Sequence, residues 1–99
     1  MELPNTKDLE DMVDNIYKES TKVFTYSNSI HPQGNFMRFL GLLKRRGIDV
    51  PPFSRLEKDR LVLQFRKGTS PYQILTTYMY ALAFIRHDQS INVVMIEYS

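Results

Sequence analysis

The groups in this 99-residue chain with chemistry to offer are two histidines, a few serines, a run of carboxylates and one basic stretch. His31 and His87 lie far apart, and neither has a partner at HxxxH-type spacing. A metal ion needs three or four ligands held together, and no such set can be assembled here. His31, beside Pro32, reads as a solvent-facing loop residue. His87, followed by Asp88, falls where the negative end of a helix dipole favours a cation. Asp8, Glu10, Asp11 and Asp14 share an early helix and read as its solvated face. No serine sits in a nucleophile elbow. The chain has no cysteine, which excludes a disulfide scaffold, an iron–sulfur centre, a thiolate zinc site and a cysteine nucleophile. The expectation is a non-enzymatic protein with no cofactor and no metal.

Two segments could meet an anion. In Lys67-Gly68-Thr69-Ser70 a strand passes into a helix N-terminus, whose free amides favour negative charge. This is neither a Walker sequence nor a GxGxxG turn. Capping by Ser70 and a tight turn at Gly68 account for both residues without a ligand. The second segment is Lys44-Arg45-Arg46, with Arg38 one to two turns earlier, which could meet phosphates. Residues 31–68 carry nine basic against three acidic residues, whereas residues 1–30 carry three against six. Such a basic middle suits nucleic acid, but it equally solvates helix faces and pairs with the acidic front. The helix, Gly turn and short helix superficially resemble a helix-turn-helix, but the connection through Pro51-Pro52 is longer than usual and the second helix is short for a major groove.

The elements that must position these groups follow from periodicity. Leu9, Met12, Val13, Ile16 and Tyr17 make one apolar stripe, predicting a helix over 7–22 capped by Asn5 or Thr6. Val23-Phe24-Thr25-Tyr26, β-branched and aromatic, predicts a short strand, and 27–34 a loop. Phe36, Phe39, Leu40 and Leu43, with Met37 and Leu42 alongside, predict a second helix over 35–46. It should end on a left-handed Gly47, with Ile48 as the apolar contact beyond it. The pair Pro51-Pro52 stiffens a linker, and Ser54 with Glu57 has capping-box spacing for a short helical turn to Arg60.

The last 40 residues are the most legible. Leu61, Leu63 and Phe65 share one face of a strand over 61–65. Ser70, Pro71 and Gln73 then open a helix that runs to about His87. Ile91–Tyr98 is apolar on both faces, as a strand covered twice or paired with another chain would be. Strand, helix, strand is most simply a right-handed parallel crossover. The expected fold is α+β or small α/β, one domain over 1–99, in the order α-β-α-(short α)-β-α-β. Its three-stranded sheet carries a C-terminal βαβ unit and two N-terminal helices.

At 42% apolar and 24% charged, the composition is that of a small soluble globular domain. The first residues lack a secretory signal and no apolar run approaches the roughly 20 residues that span a bilayer. A cytoplasmic, nuclear or host-cell cytosolic location without membrane association is expected. The helix over 71–87 is apolar almost all round, so it is either centrally buried or pressed on a partner. The expected function is therefore protein binding, as an assembly subunit or a regulator, through Tyr78, Tyr80, Phe84, Val94 and Ile96. The partner would be another protein or a second copy in a homo-oligomer. The alternative is an accessory nucleic-acid binder using Arg38, Lys44, Arg45, Arg46, Lys67 and Ser70.

Overall fold

Asn5 starts the first helix as a cap: its side-chain oxygen accepts from the Asp8 amide at 2.9 Å and its carbonyl from the Leu9 amide at 3.0 Å. The structure is a computed structural model and describes residues 5–24, 32–87 and 91–98. Helices α1 (Thr6–Phe24) and α2 (Pro32–Arg45) lead into a hairpin of β1 (Arg55–Glu57) and β2 (Arg60–Arg66), then α3 (Pro71–His87) and β3 (Asn92–Tyr98). The fold is α+β, with three helices and a three-stranded mixed sheet among the described residues.

Two expectations at the element level are corrected. Val23 and Phe24 belong to α1, not to a strand, while Thr25 and Tyr26 lie outside the described residues. Without a strand of its own to pair with, β propensity does not interrupt a helix already propagating. The third strand is instead β1, in the segment where a helical turn from Ser54 was expected. Glu57 does not cap; it receives Arg55 and Arg60 as ion-pair partners, the latter at 3.1 Å. Antiparallel pairing of Arg55 with Val62 and Leu56 with Leu61 decides the conformation, because Leu56 then reaches the core. The expected loop over 27–34 is also shortened, since Pro32 already begins α2; 27–31 lie outside the described residues.

The C-terminal βαβ unit stands as expected. β2 and β3 are parallel, from Arg60 opposite Asn92 to Arg66 opposite Tyr98, and α3 connects them. β2 is central and β3 lies at the edge. Alternation sends Leu61, Leu63, Phe65 and Leu56 towards the helices, where they join Phe36, Phe39, Leu43, Ala81 and Phe84. A second cluster packs Val13, Leu9, Ile16 and Tyr17 of α1 on Leu75, Met79, Leu82 and Ala83 of α3. Helix α3 is thus covered by α1 on one side and by the sheet and α2 on the other. That accounts for most of its apolar surface.

The ends of the elements obey local chemistry. Ile48 donates to the Leu43 carbonyl at 2.9 Å and Gly47 to that of Lys44 at 3.1 Å, closing α2 in a Schellman motif. Gly47 carries the φ of 70° that this motif requires. Ser70 caps α3 by accepting from the Gln73 amide at 3.1 Å.

Candidate protein-binding surface

The helix stripe Pro71, Ile74, Leu75 and Tyr78 recurs at i, i+3, i+4 and i+7 and runs beside β3. Together with Met95 these residues line an apolar groove of about 270 Å³. A continuation shares Ile74 and Met95 and adds Phe65, Ile96 and Glu97. Met95 is 47% exposed and Ile96 39%, high values for large apolar side chains in a sheet.

The backbone beside the groove is equally open. The N–H and C=O of one strand residue point to the same side, and the side alternates along the chain. Asn92 donates to the Asp59 carbonyl at 2.7 Å and the Tyr98 carbonyl accepts from Lys67, so the even-numbered residues of β3 face β2. Val93, Met95 and Glu97 therefore turn their amides and carbonyls to the outer edge. Among the described residues no strand lies there.

The sequence-derived interface divides on this geometry. Tyr78 lines the groove, whereas Val94 and Ile96, two residues apart on β3, share the face opposite Met95, though Ile96 also borders the groove's continuation. Tyr80, two residues from Tyr78, points away by about 200° of helical rotation. It packs on the α2 side, in the field of Arg46 and Glu19, and burial pushes its phenol up. Phe84 is 1% exposed with its ring 5.1 Å from that of Phe39, so it is core and offers a partner nothing. Sequence reasoning missed Ile74, Leu75 and Met95. The helical stripe was readable, but its adjacency to Met95 depends on the register of β3.

The anion-binding expectation finds its groups dispersed or occupied. Arg38, Lys44 and Arg45 are exposed on α2, whereas Lys67 and Ser70 belong to the β2–α3 turn. Arg46 binds Glu19 of α1 at 2.6 Å. The Thr69 hydroxyl donates to the Arg66 carbonyl, and Ser70 is occupied as a cap. Gly68, at φ 90°, makes the turn.

Two further places have the look of sites. A hollow of about 530 Å³ between α1, α3 and the start of β3 is lined by Leu9, Val13, Leu82, Ile85 and Ile91, with Glu10, Arg86 and Asn92 beside them. Arg86 is already engaged by Asp14, whose carboxyl it holds below the usual range. Ser20 and His87 form a pair, Oγ to Nε2, at 3.2 Å. The Ser20 hydroxyl also has the Ile16 and Tyr17 carbonyls within reach, at 2.7 and 3.1 Å. With Ser20 at 1% exposure, no substrate reaches it. His31 lies outside the described residues.

Among the described residues no group of three or more His, Cys, Asp and Glu is placed to hold a metal. Nor is any described helix long and apolar enough to cross a membrane. Compared with models of protein families, with curated proteins and with solved structures, the chain matches none.

Proposed function

We propose that this protein is a non-enzymatic binding module that receives an extended protein segment along the outer edge of β3. The observation that carries this reading is the coincidence of two features at β3 that no other described residue covers. The edge offers the amides and carbonyls of Val93, Met95 and Glu97, and the groove beside it offers Ile74, Leu75, Tyr78 and Met95. Main-chain hydrogen bonds along such an edge give affinity, and alternate side chains entering the groove give specificity. A strand added there also covers Met95 and Ile96, whose burial is worth about 25 cal/mol per Å² of apolar surface.

Paired affinity capture tests the reading, with the wild-type chain and Met95→Lys as baits. Protein partners held by the first and lost from the second support it. Partners held equally by both, but lost on Lys44/Arg45/Arg46→Ala, would transfer the function to the basic segment.

A further inference from the structure

The two edges of the sheet are treated differently. β1 is only three residues long, follows Pro51-Pro52, and carries Arg55 and Glu57 in an ion pair. Short length, charge and nearby proline are the devices by which proteins stop an edge from recruiting another strand. β3 has none of them. Its seven residues include no Pro, Lys or Arg, Glu97 is its only charge, and its register with β2 runs unbroken from Asn92 to Tyr98, so no bulge twists it away.

We infer that a second copy of this chain occupies that edge, the two β3 strands pairing antiparallel about a twofold axis through Met95. This rests on the edge-binding reading above and names its occupant. The register is chosen by the outward-facing groups. Centring on Met95 makes Met95–Met95 and the two Val93–Glu97 pairs the hydrogen-bonded ones, so each outward amide and carbonyl is used. Val94 then lies opposite Ile96 twice, a β-branched cross-strand pair of the kind that stabilises sheets. The two Glu97 carboxylates end about 13 Å apart along the strands, each beside an aliphatic Val93 rather than each other. An axis perpendicular to the sheet keeps both α3 helices on one side. The two apolar grooves therefore meet across the paired Met95 side chains. The sheet doubles into one continuous sheet whose remaining edges are the guarded β1 strands.

Sedimentation analysis of the full chain from micromolar to millimolar concentration tests this, with circular dichroism to verify folding of each variant. The wild type is expected to dimerise, and Met95→Lys to weaken the dimer about tenfold or more, because it sets two ammonium groups opposite each other. Register is read from single cysteines, which are unique probes because the native chain has none. Met95→Cys should cross-link on mild oxidation, since hydrogen-bonded antiparallel pairs place Cα atoms about 5.5 Å apart, within disulfide range. Glu97→Cys should not. A dimer untouched by Met95→Lys, or cross-linking at position 97 but not 95, overturns the inference.

A wild type that stays monomeric at millimolar concentration also overturns it, and a further arm then separates this failure from that of the edge-binding reading. A synthetic peptide with the sequence of residues 91–98 is titrated into the labelled chain. Shifts at the amides of Val93, Met95 and Glu97 keep the edge as a strand receptor, and their absence removes that reading as well.

Discussion

Ser20 Oγ, on α1, and His87 Nε2, at the end of α3, are hydrogen-bonded at 3.2 Å across 67 positions of sequence. The imidazole also bonds the backbone of Tyr17 and stacks on its ring, centroids 4.5 Å apart. Arg86, one residue earlier, lies over the same Tyr17 ring at 5.6 Å and pairs with Asp14. These contacts fasten the C-terminal end of α3 to α1.

This seam sets a pH dependence. Burial lowers the pKa of His87 below its ordinary 6.5, more than the Tyr17 backbone bond raises it. The unfolded chain therefore binds the proton more readily than the folded one, and stability rises with pH through this window. It should be fully present above about pH 6.5 and fall as the pH drops below the unfolded value. Urea unfolding between pH 5 and 8 checks this, and His87→Gln should flatten that part of the profile. The carboxyls of Asp14 and Glu57, both lowered by their arginine partners, act the same way in a lower range, below about 3.8 and 4.5. The two transitions are separable.

Phe84 and Tyr78 share a helix but not a role. Phe84→Ala should cost about 3–5 kcal/mol, the usual range for emptying a well-packed aromatic site. Tyr78→Ala, at the open groove, should cost less than half as much while impairing strand binding. Chemical denaturation of both variants, beside the binding measurement, tells them apart. Equal destabilisation by the two would contradict the placement of Tyr78 at a surface.

Thr77 is fully buried on α3, and among the described residues its hydroxyl has no hydrogen-bond partner. A buried unsatisfied hydroxyl carries a desolvation cost that a methyl of the same shape avoids. Thr77→Val should therefore raise stability by about 1 kcal/mol, read as a higher denaturation midpoint at unchanged slope. A loss of stability would mean that the hydroxyl is satisfied in solution.

The exposed cations of α2 should act as solvating charge. Fluorescence anisotropy with generic single- and double-stranded RNA and DNA is expected to show binding no tighter than about 10⁻⁴ M at physiological salt, the weak end of non-specific association. Micromolar affinity that falls steeply with salt, and that disappears on Lys44/Arg45/Arg46→Ala, would replace the protein-binding reading with a nucleic-acid one.

What the sequence determined by itself is whatever depends on near neighbours. The Asn5 cap, the Gly47–Ile48 close of α2, the Ser70-Pro71 start of α3 and the alternation of Leu61, Leu63 and Phe65 are each settled within a few residues. Those features were legible and stand. Tertiary structure decided the rest, because strands satisfy their backbone groups on a distant segment. Three residues, Arg55-Leu56-Glu57, became β1 only by pairing with β2, overriding a capping spacing that read as helix. Phe84 became core because Phe39 of α2 meets it, and Tyr80 turned from the interface because helical rotation sets it opposite Tyr78. The candidate surface is the clearest case. Ile74, Leu75 and Tyr78 mark a stripe in any reading of α3, but parallel register alone brings Met95 beside them, and the edge position of β3 alone leaves its outward amides open.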